Sequence, residues 1–147
     1  IFGEEMPYIN IWIHLIWATK NRQPFLNSDI RSKVFSHIRE NAKEKGIHLD
    51  FINGYREHVH ILFSMNQEQS IAKIVHLLKG ESSHWINKNK LTENKFNWQE
   101  EYLAASISHS AIDRVRAYIK NQEEHHRIKS FSEEFKIHMD KYEFEIV

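Results

Sequence analysis

The sequence contains no cysteine, so neither a disulfide framework nor a thiolate metal site is open to it. Its absence suits a reducing cytoplasm. Glycine and proline are scarce, 4 and 2 among 147 residues, which excludes the fibrous and low-complexity classes. No apolar run approaches the ~18 residues of a membrane span, so no membrane partner is expected. Net charge is also missing, at +0, which argues against a protein that coats nucleic acid regardless of sequence. The charge is unevenly spread, however. Residues 20–90 hold 12 Lys+Arg against 7 Asp+Glu, and residues 91–147 hold 8 against 11. The first half can therefore present a basic face, and the same counts fit solvated surface charge at least as well. Hydrophobic residues make up 41%, enough for one core. Residues 1–147 read as a single domain, with a charged tail over 129–147.

Patterning predicts the elements. Residues 8–19 are β-prone and partly alternating, and Asn21 to Pro24 break them. Ser28 or Asn27 is expected to cap a helix running to about Lys45, with Val34, Phe35, Ile38 and Ala42 at helical spacing and Gly46 as its stop. Residues 47–54 and 57–64 predict two strands, joined by a hairpin around Asn53-Gly54-Tyr55-Arg56. Ser70 opens a second helix with Ile71, Ile74, Val75 and Leu78 inward. Residues 87–97 read as a polar loop and 101–107 as a fourth strand. Ser110 or Ser108 is expected to cap a helix from about Ala111 to His126. In the tail, Phe131, Phe135, Tyr142 and Phe144 are candidate anchors on another surface. The order β-α-β-β-α-β-α predicts an α+β fold of ferredoxin-like, or RRM-like, type. It has a four-stranded antiparallel sheet with helices on one face, the third strand central, and a C-terminal tyrosine-bearing helix.

The chemistry concentrates in His58-Val59-His60. On a strand the two histidines project from one face, where two imidazoles can hold a divalent cation in a half-open site. The same spacing also fits a solvated or packed polar face, and Leu62 stands where a third histidine would complete a triad. Tyr118 and Gln122 are four residues apart and share a helix face. Tyr118 fits a core stripe with Val115 and Ile119 equally well, leaving Gln122 a surface amide. Together, a tyrosine nucleophile, two histidines and an amide oxygen around one metal suit phosphodiester cleavage. His125-His126 could extend a metal site, but adjacent helix residues diverge by ~100°, and a solvated helix end is the better reading.

The chain resembles the single-tyrosine (Y1) transposases of the IS200/IS605 family, members of the HUH endonuclease superfamily. Five segments carry the likeness in order: Ile13 to Arg22, Glu57 to Phe63, Leu78 to Ser83, Trp98 with Tyr102, and Val115 to Gln122. Two departures are Glu57, where many relatives have Asp, and a Ser106–Ser110 turn lacking the expected glycine. The resemblance implies nicking and rejoining of single-stranded DNA at hairpin-bearing element ends. Tyr118 would form a 5′-phosphotyrosine, and His58, His60 and Gln122 would bind Mg²⁺ or Mn²⁺ as a Lewis acid. It further implies a homodimer that shares its active sites between subunits, in a bacterial or archaeal cytoplasm and at the nucleoid when bound to DNA. Lys20, Arg22, Lys73, Lys79 and Lys88 are candidates for phosphate contact, and serve equally as solubilising charge. A domesticated nuclease that processes repeat hairpins would use the same residues. A non-catalytic module binding single strands on sheet aromatics is the other alternative.

Overall fold

The computed structural model describes residues 7–142. Its elements are β1 (Ile11–Ala18), α1 (Ser28–Glu44), β2 (His48–Tyr55), β3 (His58–Met65), α2 (Ile71–Lys88), β4 (Leu103–Ile107), α3 (Ile112–Lys120), α4 (Gln122–Ile128) and α5 (Phe131–Tyr142). The strands form one sheet in the order β2-β3-β1-β4, every pair antiparallel. This is the α+β, ferredoxin-like arrangement, with β3 interior and paired along both edges.

Strand alternation divides the side chains between two faces. Ile13, Leu15 and Trp17 of β1 and Val59, Ile61 and Phe63 of β3 pack against Val34, Phe35 and Ile38 of α1 and Ile74, Val75 and Leu78 of α2. These two helices begin where their caps predict. Asn27 Oδ1 accepts from the Ile30 backbone N–H at 3.1 Å, and Ser70 Oγ from that of Lys73 at 3.2 Å. Gly46, at φ +72°, ends the first helical segment in the left-handed region.

The opposite face carries His14, Ile16 and Ala18 of β1 beside His60 and His58 of β3, since Ile16 pairs with His60 and Ala18 with His58. Helices α3 to α5 cover it. Leu62 and Ile107 pack against Ile112 and Ile119 of α3, while Ile16, Ala18, Leu103 and Ala105 pack against Phe131 of α5.

Four local expectations are corrected. The β2–β3 turn is Arg56-Glu57, and Asn53 and Gly54 lie inside β2. Gly54 serves a close approach: a Cβ there would stand 2.2 Å from the His58 carbonyl oxygen. The helix expected over 111–126 breaks at Asn121 (φ −92°, ψ 25°) into α3 and α4. The Asn53 amide of β2 donates to the carbonyls of Ile119 and Lys120 at 3.0 and 3.1 Å, capturing the acceptors a continuing helix would use. Residues 87–97 are less polar than read, because Phe96 is fully buried. The tail is the amphipathic helix α5, and Phe131 anchors it on the histidine face rather than on another surface. Phe144 and the side chain of Tyr142 lie outside the described residues.

Candidate active site

β3 aims His58 and His60 at a common point, and neither is exposed. The small Ala18 lies across from His58 in the sheet register and leaves room for its ring. Phe131 of α5 stacks on that ring, centroids 4.2 Å apart and planes 16° from parallel. From α4, Gln122 Oε1 comes within 2.9 Å of His58 Nε2, and Gln122 is fully buried. From α5, Glu134 Oε1 comes within 2.9 Å of His60 Nε2 and 3.4 Å of His58 Nε2. His58, His60 and Glu134 offer ligand atoms all within 4.8 Å of one another.

Tyr118 stands beside this cluster, its ring 5.7 Å from that of His60. Its hydroxyl donates to Glu134 Oε2 and lies 3.1 Å from His138 Nε2. The four residues singled out in the sequence are thus brought together within one chain. Three tethers hold the tyrosine helix and the adjoining α4 there. Arg116 forks onto both oxygens of Asp50 at 2.7 Å, Asn53 caps α3, and Arg31 pairs with Glu123 at 2.7 Å.

The electrostatics prepare the histidines differently. Burial pushes the His60 imidazole down to about 4, against the pull of Glu134, so it is neutral and ligand-ready near neutrality. Burial also pushes His58 down, but hydrogen bonds with Glu134 and Glu57 outweigh it and raise His58 above the usual value. Burial pushes the Glu134 carboxyl up; hydrogen bonds from His126, His58 and His60 reverse this and hold it far below the usual range. Glu57 accepts from His58 Nδ1 at 2.7 Å, and that bond overcomes its own burial to lower its carboxyl.

Sequence reasoning missed four members of this cluster. His14 is buried on β1 and joins His60 Nδ1 at 2.9 Å through its own Nε2. His126, expected in solvent, is half-buried and turns its side chain inward, with Nε2 3.2 Å from Gln122 Oε1 and 3.3 Å from Glu134 Oε2. Glu134 and His138 come from α5. Their signal was the spacing of Phe131, Glu134, Phe135 and His138, one helix face in which polar residues alternate with phenylalanines.

The candidate phosphate contacts are scattered. Lys20, Lys73 and Lys88 are exposed. Arg22 binds Ser132 Oγ at 2.7 Å and lies 5.0 Å over the Phe131 ring, clasping α5. Lys79 turns to the carbonyls of Gln99, Glu100 and Glu101 at 2.6, 3.0 and 3.1 Å, and burial pushes its amine down to about 8.

The family model described as Transposase IS200 like matches residues 7–122. The chain belongs to the IS200-like transposases. It is 26% identical over 114 residues to the ISDra2 transposase TnpA of Deinococcus radiodurans, covering 74% of this chain and 81% of that one. Its fold is shared with the crystal structure of a candidate transposase from Deinococcus radiodurans R1, at a TM-score of 0.65 and 24% identity, covering 82% and 97% of the two chains. A REP-associated tyrosine transposase bound to a REP hairpin is similar at a TM-score of 0.62 and 13% identity, covering 84% and 73%. The IS200-like match ends at Gln122, so α4 beyond that residue and all of α5 lie outside it. Among the described residues no helix is long and apolar enough to cross a membrane.

Proposed function

We propose that this transposase nicks and rejoins single-stranded DNA at hairpin-bearing ends, with Tyr118 as nucleophile and a divalent cation held by His58, His60 and Gln122. The observation that carries the reading is the convergence of those four side chains from β3, α3 and α4 in one chain. The phenol oxygen bonds to phosphorus and gives up its proton. The bond to the 3′ oxygen breaks, and that oxygen leaves as a hydroxyl. The 5′-phosphotyrosine keeps the phosphodiester bond energy, so a second 3′-hydroxyl can reverse the step and join new ends.

The donor set fits a cation. His58 Nδ1 faces the Glu57 carboxylate and so carries hydrogen. In the neutral ring Nε2 is then a lone pair 2.9 Å from the lone pairs of Gln122 Oε1. Two acceptors at that distance need a proton or a cation between them. The Glu57–His58 contact is also the carboxylate–histidine arrangement that orients metal ligands. When bound, Mg²⁺ or Mn²⁺ would supply Lewis-acid polarisation of the phosphate.

The DNA route lies on the tyrosine side. A cavity of about 470 Å³ opens beside Tyr118, with Ser108, Arg114, His125 and Lys129 in its wall. Its size, its largely apolar wall and the cationic groups of Arg114, Lys129 and Lys141 suit the base and phosphate of the nucleotide that flanks the scissile phosphate. A second copy of the chain is the expected partner. The tethers of α3 and α4 favour a tyrosine that serves its own chain's histidines within such a dimer. The similarity to a tyrosine transposase bound to a REP hairpin supports a hairpin substrate.

The test is incubation of a labelled hairpin-bearing single strand with Mg²⁺. A denaturation-resistant protein–DNA adduct is expected with wild type and none with Tyr118→Phe. Equal nicking by both proteins would remove Tyr118 as the nucleophile.

A further inference from the structure

The carboxylate of α5 reaches a place its position in the sequence does not announce. Glu134 lies 12 residues beyond the family-matched segment, at the far end of the described chain. Yet only 3% of it is exposed, and its two oxygens face different partners. Oε1 is 2.9 Å from His60 Nε2 and 3.4 Å from His58 Nε2. Oε2 takes the Tyr118 hydroxyl hydrogen bond and sits 3.3 Å from Gln122 Nε2.

We propose that Glu134 is a ligand of the same cation that His58, His60 and Gln122 hold, which makes α5 part of the metal centre. This rests on the metal reading given above and deepens it.

Geometry supports it first. An octahedral ion with ligands at about 2.1 Å sets neighbouring donor atoms about 3 Å apart. His58 Nε2 to Gln122 Oε1 is 2.9 Å, and His60 Nε2 to Glu134 Oε1 is 2.9 Å. His58 Nε2 to Glu134 Oε1, at 3.4 Å, closes the set. The spacing of an ion's coordination shell is therefore already present.

Chemistry supports it second. Mg²⁺ and Mn²⁺ are hard ions that favour carboxylate oxygen over imidazole nitrogen. Two histidines and one amide give a neutral, nitrogen-rich set that suits them poorly. Adding Glu134 makes the set two nitrogens and two oxygens with one negative charge. The amide orientation agrees: Gln122 Nε2 faces the second Glu134 oxygen, so Gln122 Oε1 is the atom turned toward the ion.

Third, the other Glu134 oxygen fixes the nucleophile. One carboxylate spanning ion and phenol sets the distance between them, and a shorter or neutral side chain at 134 loses that spacing or the charge.

The competing account is a buried ion pair. In it Glu134 only staples α5 to protonated histidine, and its loss costs stability without touching metal affinity.

The experiment measures Mn²⁺ binding to the whole chain by loss of the free-ion electron paramagnetic resonance signal, for wild type, Glu134→Gln, Glu134→Ala and His58→Ala. One Mn²⁺ per wild-type chain is expected, weakened at least about tenfold in both Glu134 variants, the scale on which even outer partners of a metal site act. Thermal unfolding without metal shows whether each variant is folded. Should Glu134→Gln not fold, the wild type still decides: Mn²⁺ must broaden the amide resonances around Glu134 as strongly as those of β3. Folded Glu134 variants that bind Mn²⁺ within twofold of wild type overturn the proposal while leaving the three-residue site standing. Unbroadened α5 resonances overturn it as well. A wild-type chain that binds no Mn²⁺ overturns the underlying metal reading too.

Discussion

At the scale of single residues, Gly54 and Glu134 show where pattern reading fails. Asn53-Gly54 carries one of the stronger short-range hairpin signals, and the turn falls three residues later, at Arg56-Glu57. Gly54 is there because β2 crosses the His58 carbonyl too closely for a side chain. Nothing in a single sequence separates a glycine needed for a turn from one needed for a close approach. Gly54→Ala is expected to destabilise by about 1–3 kcal/mol, the usual cost of overpacking, and to shift His58 away from Gln122. Urea denaturation and Mn²⁺ affinity check it, and an alanine variant as stable and as tight-binding as wild type contradicts the clash. The opposite failure holds for Glu134. A charged residue in a charged segment reads as surface, and only the histidines opposite give it a reason to be buried. His58 and His60 were legible because period-two alternation on a short apolar strand leaves little freedom in where they point.

Among elements, sheet and flanking helices followed from alternation and capping, since burial on one face imposes a period the sequence must carry. The break between α3 and α4 had no such imprint. Asn53, 66 residues before Ile119, ends the helix by taking its carbonyls, and a contact at that separation leaves no local signal. Asn53→Ala is expected to cost about 1–2 kcal/mol for the two lost hydrogen bonds. It should also slow adduct formation, because Gln122 is the first residue after the break. Thermal unfolding with the labelled-hairpin assay measures both. A stability loss with unchanged adduct rate separates the break from the placement of Gln122. Within the run Leu78 to Ser83, two residues serve the scaffold: Leu78 is core, and buried Ser82 receives the Trp98 indole N–H at 2.8 Å.

For the whole molecule, the tethers on the tyrosine helix bear on how copies cooperate. Asp50–Arg116, Asn53 and Arg31–Glu123 all join α3 or α4 to β2 or α1 of the same chain. Mixing Tyr118→Phe protein with His58→Ala protein is therefore expected to yield no covalent adduct, because each copy lacks part of its own site. Rescue on mixing would mean that the tethers open and the helix crosses to a second copy, the arrangement the family resemblance suggested. Sedimentation of the mixture reports whether the copies associate at all.

The burial of Glu134 against His58 and His60 sets an order of events at the ribosome. Seventy-four residues separate His60 from Glu134, about 4–15 s of elongation at ordinary rates. Through that interval the nascent sheet carries an imidazole pair whose Nε2 atoms have no carboxylate to face, Glu57 being engaged only at His58 Nδ1. α5, the last helix to emerge among the described residues, both seats Phe131 on the sheet and supplies that carboxylate, so completion of the histidine–carboxylate cluster coincides with completion of the second core.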